Sequence, residues 1–416
     1  MKRVVLMLFL FLSLTAATDA MAQAARGLVV DASTQQPIAG AVVTIDGSER
    51  RADGEGAFDL PADARQVLAR APGYRRTDQP APLDAAPLTI ALTPFRPKAV
   101  YLSAYGVANP GLRDAALALK ESNGINALVI DLKSDRGQTP YSSAARETIG
   151  ATRFAPPSPH AGLDRLVPEL HRQGFYLIAR VVVFKDGPLA GAHPEWAVHD
   201  AAGGPWQDRE QLAWTDPFVH EVWDHNIAIA EEAARMGFDE VQFDYVRFPD
   251  AGSPHFSQPS TRAARVAAID GFLRAARERL APYNVFLAAD IFGYVCWNAD
   301  DTAIGQQLET LAPTLDYLSP MLYPSGFTWG LPGQANPMLD PGRIVSRSLA
   351  EARRRTGLPG VRFRPWLQAF QDYAFDKREF GAHEIGAQTQ AAERQDSDGW
   401  MLWNPRNRYD PATLPH

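Results

Sequence analysis

The chain carries a single cysteine, Cys296, among 416 residues. That excludes an intrachain disulfide framework and a cysteine-rich zinc site. Positive charge is not in excess: 41 Lys and Arg face 48 Asp and Glu, for a net charge of −7. No overall basic field favours nucleic acid, which is not expected as a partner. Past residue 22 no stretch is apolar enough to span a bilayer, which takes about 20 residues. Three motifs are also missing. There is no Gly-x-Gly-x-x-Gly dinucleotide turn, no His-Glu-x-x-His helix and no Gly-x-Ser-x-Gly elbow, so no cofactor, metal ion or esterase chemistry is expected. With 46% hydrophobic and 21% charged residues, 31 Gly and 33 Pro, the composition is that of a globular protein and not of a collagen, coiled coil or disordered chain. The length suits two or three domains, or one large barrel with a small module.

What is present begins with an address. Lys2 and Arg3 precede an apolar run at 4–14 broken only by Ser13, and Ala20-Met21-Ala22 supplies a small-x-small cut. Residues 1–22 therefore read as a secretory signal, which places the mature chain in the periplasm or outside the cell. An uncleaved anchor is the other reading. No cysteine sits at the cut to carry a lipid.

From Gly27 to Leu92 apolar residues alternate in short runs, at 28–30, 41–45, 57–60, 67–69 and 88–92. Asp46-Gly47, Asp53-Gly54 and Pro72-Gly73 punctuate them, predicting a small antiparallel sandwich over 26–95. The segments 27–37, Ala39-Gly40-Ala41-Val42-Val43, Asp53-Gly54-Glu55-Gly56-Ala57-Phe58 and Ala71-Pro72-Gly73-Tyr74 resemble the carboxypeptidase regulatory-like domain. The resemblance implies a transthyretin-like sandwich without catalytic residues, acting as spacer or binding module. Prolines at 80, 82, 87, 94 and 97 stiffen the passage that follows.

From Val100 the rhythm becomes strand, loop, helix. Strands are predicted at 100–104, 127–133, 175–184, 240–248, 285–292, 317–323, 363–370 and 400–403, with helices including 112–121, 163–172, 217–236, 262–280, 343–355 and 380–394. Thr215 is placed to cap the helix at 217–236. Eight alternations over 98–412 match an α/β fold of the (β/α)8 TIM-barrel type, in which chemistry sits at the C-terminal rim. An open doubly wound sheet is the rival architecture, and it lacks its usual glycine signature here. Trp196, Trp206, Trp214, Trp297 and Trp329 fall beyond strand ends. Such rings stack on sugars or build small cores under long loops.

Charge on these apolar strands is the strongest signal. In 240–249 alternation puts Val241, Phe243 and Tyr245 on the helix side, with Gln242 and Asp244 toward the barrel axis. Asp290 is the one charge on its strand, Asp131 and Lys133 end another, and Arg180 lies on the strand between. A carboxylate pointing inward costs several kcal/mol unless it is paired, on the order of the values for buried ions. Glycoside cleavage needs such a pair: one carboxylate to attack, one carboxyl to protonate the leaving oxygen. Asp244 and Asp290 are the catalytic candidates, on adjacent strands. Asp131, Lys133, Arg180, Tyr245, Arg247, Tyr323, Gln368 and Trp403 are the candidates for binding a poly- or oligosaccharide. Arg180 between Asp131 and Asp244 also reads as a buried ion-pair network that sets strand register, with Lys133 paired to Asp131.

The run from Gly237 to Pro249, with 127–133, 288–293 and 316–324, resembles a bacterial glycoside hydrolase domain related to the alpha-amylase-like barrels. The resemblance implies a hydrolase barrel over roughly 100–409. In alpha-amylase-like barrels the strand-four acid is the nucleophile, matching Asp244, and the strand-five acid is a Glu where this chain has Asp290. The leading expectation is an exported glycoside hydrolase. A catalytically silent carbohydrate-binding or envelope scaffold protein is the second, and a Lys133-dependent lyase or aldolase the third.

Overall fold

The computed structural model describes residues 25–77, 80, 88–154 and 162–415. The signal-like segment at 1–22, Pro82 and Pro87 lie outside them. Among the described residues no helix is long and apolar enough to cross a membrane.

Six short strands form the N-terminal module: β1 (Ala25–Asp31), β2 (Val42–Ile45), β3 (Ser48–Arg51), β4 (Ala57–Leu60), β5 (Val67–Arg70) and β6 (Leu88–Leu92). They make two three-stranded sheets, β4-β1-β6 and β3-β2-β5. Inward residues such as Val29, Val43, Phe58, Val67 and Ile90 fill the space between them. The module is all-β, as its alternation predicts. Two expectations change. β1 and β6 run parallel, so the arrangement is mixed and not purely antiparallel. And β3 is a strand that alternation misses, because Ser-Glu-Arg-Arg has no apolar residue and pairs with β2 along its backbone alone.

Eight parallel strands then close into a barrel: β7 (Lys98–Leu102), β8 (Ala127–Lys133), β9 (Tyr176–Val182), β10 (Glu240–Asp244), β11 (Phe286–Phe292), β12 (Tyr317–Met321), β13 (Trp366–Gln368) and β14 (Trp400–Trp403). Each strand pairs with its sequence neighbours and β14 returns to β7. This is a TIM barrel, and the open sheet is excluded. Helices Pro110–Asn123, Leu163–Arg172, His220–Met236, Arg262–Leu280, Pro341–Thr356 and Ala382–Arg394 cover the outside. The helix His220–Met236 ends at Gly237, whose φ of 99° turns the chain into β10. Thr215 does not cap that helix; Val219 holds the cap position, and the Thr215 hydroxyl donates to the Phe184 carbonyl.

Outward residues of the strands, among them Ile130, Val241, Phe243 and Leu287, join the helices in the main core. The Phe243 ring meets Phe272 at 4.9 Å. Inside, β10 sets three polar tiers two residues apart. Glu240, at the bottom, pairs with Arg364, which also bonds Asp398. In the middle the Gln242 amide donates to Ser319 at 3.1 Å, and Asp244 stands at the top. The sandwich seals the opposite, N-terminal end. There Asp316 takes Arg70 at 3.3 Å and Arg277 at 3.0 Å, and the Asn284 amide donates to the Ala69 carbonyl.

Candidate active site

At the mouth, Arg180 on β9 carries two acids on one guanidinium. Its Nη1 donates to Oδ1 of Asp131 at 2.5 Å, while Nε and Nη2 donate to Oδ2 of Asp244 at 3.0 and 2.6 Å. The other oxygen of Asp131 accepts from the Tyr101 hydroxyl at 2.6 Å, and Oδ1 of Asp244 accepts from the Tyr245 backbone N–H. Each nitrogen of Arg180 and each carboxylate oxygen of Asp131 and Asp244 thus has a hydrogen-bond partner, as buried charges require. Burial nevertheless lifts Asp131 to a pKa of about 6, against the pull of Arg180.

Asp290 is set differently. The registry of β10 on β11 pairs Phe243 with Ala289, so Asp244 and Asp290 follow side by side. The Trp366 indole donates to Oδ1 of Asp290 at 2.7 Å. Its Oδ2 is buried without a hydrogen-bond partner among the described residues. Burial first, and then the charge of Asp244, raise the Asp290 carboxyl well above the usual carboxylate range. Because the indole N–H only donates, the proton of the neutral form belongs on Oδ2.

Two cavities adjoin at this mouth. One of about 160 Å³ is lined by Arg180, Asp244, Tyr245, Arg247, Phe292, Met321, Tyr323, Trp366 and Trp403. Its neighbour of about 300 Å³ shares Arg180, Tyr245 and Trp403 and adds Tyr101, Asp131, Asp135, Arg136 and Gln138. Aromatic walls with a few fixed polar groups are the usual make-up of a small-molecule site. Trp403 stacks on Tyr101 at 3.9 Å and meets Trp366 edge-on at 5.4 Å. The Arg180 guanidinium lies 4.9 Å from the Trp403 ring.

Of the residues selected from the sequence, Asp244, Arg180, Asp131, Tyr245, Arg247, Tyr323 and Trp403 line one cavity or both. Asp290, Lys133 and Gln368 line neither. Asp290 is 1% exposed, behind Trp366. Lys133 does not pair with Asp131. A bulge between the two breaks the register of β8 on β9, and the ammonium bonds Asp186 at 2.7 Å and the Val183 carbonyl, fully buried beside Arg146. That burial lowers Lys133 to about 8. Gln368 clamps the chain after β12, accepting from the Ser325 N–H and donating to its hydroxyl. Tyr245 is corrected in the other direction. Alternation assigns it to the helix side, but its φ of 49° turns it over the mouth, where Lys185 and Arg247 approach its ring.

The loop tryptophans mostly serve packing. Trp206 and Trp214 meet edge-on within the main core, Trp196 stacks on His193, and Trp297 donates to Ser348. Trp329 alone of the five is open, at 87% exposure. Trp366, the residue that fixes Asp290, is missed by sequence reasoning, because it carries no charge and belongs to no motif; its place on the seventh predicted strand is the one signal the sequence offers. Among the described residues no three His, Cys, Asp or Glu side chains gather as metal ligands.

A family model described as “Putative glycosyl hydrolase domain” matches residues 99–409. The chain belongs to this family. The match spans the barrel and every residue of the mouth discussed above. In this glycosyl hydrolase family member the fold is also that of solved barrels. The PgaB (BpsB) glycoside hydrolase domain from Bordetella bronchiseptica superposes with a TM-score of 0.56 at 15% identity, over 76% of this chain and 95% of that one. Alpha-L-fucosidase isoenzyme 2 from Paenibacillus thiaminolyticus gives 0.51 at 14% identity, over 77% of this chain and 48% of that one. A hypothetical protein from Ruminiclostridium thermocellum is 36% identical over 46% of this chain and 96% of its own length, with a TM-score of 0.40. Among curated proteins none matches.

Proposed function

We propose that this chain is an exported glycoside hydrolase that cleaves a poly- or oligosaccharide with Asp244 as nucleophile and Asp290 as proton donor. One observation carries the reading: two neighbouring carboxyl groups in unlike surroundings, one hydrogen-bonded by Arg180 at an aromatic cavity, the other buried with one oxygen unpartnered among the described residues and its acidity weakened by that burial. Splitting the protonation of two acids by environment assigns one to attack and the other to donate. In the reaction Oδ1 or Oδ2 of Asp244 bonds to the anomeric carbon as the C–O bond to the leaving sugar breaks. The proton on Asp290 goes to the departing oxygen, and water then hydrolyses the glycosyl ester with Asp290 as base. Arg180, Tyr245, Arg247, Tyr323 and Trp403 hold the sugar, with Asp131 at the adjoining cavity. The N-terminal sandwich is a carboxypeptidase regulatory-like spacer, and residues 1–22 direct export. No cofactor enters the scheme.

A second reading has its own support. Asp290 lies behind the cavity wall and Arg180 occupies both Asp131 and Asp244, as in a carbohydrate-binding protein without catalysis. Hydrolysis of a polysaccharide panel by wild type and Asp244→Asn separates the two. The enzyme releases reducing ends, and the variant loses roughly 10⁴-fold in rate. Retention of a glycan with no product from wild type favours the silent binder, and equal rates from the two proteins remove Asp244 from the chemistry.

A further inference from the structure

Four large hydrophobic side chains stand open to solvent among the described residues: Tyr105 at 62%, Trp329 at 87%, Leu339 at 77% and Tyr373 at 56%. Single exposed rings are ordinary on a protein surface. Their placement is not. Tyr105 follows β7, Trp329 and Leu339 follow β12, and Tyr373 follows β13, so all four ride on segments that leave C-terminal strand ends. None lies on the outer helices, the N-terminal end or the sandwich.

Topology spreads them around the mouth. In the closed strand order β13 and β14 separate β12 from β7, so Tyr105 and Trp329 flank the site from different sides. Tyr105 lines the 300 Å³ cavity and Trp403 forms the wall it shares with the 160 Å³ one. The rings are also held in place. The Asn109 amide donates to the Tyr105 hydroxyl at 3.1 Å, the Trp329 ring lies 5.7 Å from the Tyr294 ring while its backbone N–H donates to the Tyr294 hydroxyl at 3.0 Å, and Tyr373 lies parallel to Phe370. Isolated, pre-set rings with polar groups between them suit sugar units, whose C–H faces stack while their hydroxyls find donors and acceptors. They do not form the contiguous apolar core of a protein interface.

We infer that the ligand is a polysaccharide chain lying across the barrel mouth, with sugar units on Tyr105 and on Trp329 to either side of Asp244. This rests on the hydrolase reading only for its corollary, that the bond cut is internal to the chain. Such a ligand spans both cavities at once, which a monosaccharide does not.

The test uses Tyr105→Ala and Trp329→Ala in the full chain, with unchanged melting temperatures as the check on folding. Polysaccharides retained by wild type in affinity electrophoresis are the probes, and the 4-nitrophenyl glycoside of the same sugar is the small substrate. Retardation weakens at least tenfold in each variant, and the polymer-to-aryl-glycoside ratio of kcat/KM falls at least tenfold. Wild type lowers the viscosity of the polymer well before reducing ends accumulate. Unchanged retardation in both variants, or no polymer retained by wild type, overturns the inference. Release of single sugars from one end without early loss of viscosity overturns the internal cut. Polymer binding that both variants weaken, with no cleavage by wild type, keeps the chain-binding inference and removes the hydrolase reading.

Discussion

The indole N–H of Trp366 ends 2.7 Å from Oδ1 of Asp290, in a cavity wall that Trp366 itself forms. This one bond orients the carboxyl and sets which oxygen carries its proton. It also favours the ionised form, because a donor facing a carboxylate stabilises the charge. Trp366→Phe removes the donor, keeps an aromatic ring and shifts Asp290 further upward. The expected result is an alkaline limb of the kcat profile displaced to higher pH, with stability lower by about 1–3 kcal/mol for the buried oxygen left unpaired. A pH–rate profile with the alkaline limb in place takes Asp290 out of the proton-donor role.

Among the described residues Arg180 is the sole guanidinium between Asp131 and Asp244, so its loss strands two buried acids. Arg180→Met is expected to cost about 3–5 kcal/mol at pH 8, the range for breaking a buried ion pair from one side. Asp131 already stands raised to about 6 with Arg180 in place, and without the cation it rises further. A carboxyl whose folded pKa exceeds its unfolded value stabilises the fold at low pH and loses that contribution as pH rises through the folded pKa. The penalty should therefore shrink toward pH 5. Urea denaturation at pH 5 and pH 8 reads this directly; the same loss at both would mean that the acids do not depend on Arg180.

How far the sequence alone led can be read from these same residues. Apolar alternation placed all eight barrel strands, because outward residues such as Val241 and Phe243 must meet helices and inward positions are few. It also brought Asp131, Arg180, Asp244 and Asp290 to one end, since charges on buried strands are rare and share a level. Where backbone departs from the regular pleat, alternation carries no information. The bulge after Asp131 redirected Lys133, and the left-handed Tyr245 ended β10 four residues before the apolar pattern does. Burial behind another side chain is equally invisible: nothing in Ala288-Ala289-Asp290 announces that Trp366, from two strands away, covers the acid.

The seam between sandwich and barrel has its own acid limit. Burial alone would raise Asp316, but Arg70 and Arg277 outweigh it and hold the carboxyl at about 2. A depressed carboxyl contributes stability above its unfolded pKa of 3.8, and the contribution is lost as pH falls from there through about 2. Close to two units corresponds to about 2–3 kcal/mol at neutral pH. Asp316→Asn should be less stable than wild type by that order above pH 4, with the two curves converging near pH 2. Thermal denaturation across this window tests it, and a gap that stays constant with pH would assign the stability of the seam to other contacts.

Tyr245 offers a way to weigh backbone strain at the site. At φ 49° its side chain crowds its own backbone, at roughly 1–2 kcal/mol for a non-glycine residue. Both Tyr245→Ala and Tyr245→Gly lose the ring contact with Trp214 and the approach of Lys185 and Arg247, so their difference isolates the backbone. In an ordinary strand glycine is the worse of the two by about 0.5–1 kcal/mol, through the freedom it adds to the unfolded chain. Here relief of the left-handed strain outweighs that freedom, and Tyr245→Gly is expected to match or exceed Tyr245→Ala by up to about 1 kcal/mol in urea denaturation. The ordinary order, alanine above glycine, would show that the turn is not under strain. The strain matters because this turn aims the Tyr245 N–H at Oδ1 of Asp244: the residue that breaks the strand also holds the carboxylate toward the cavity.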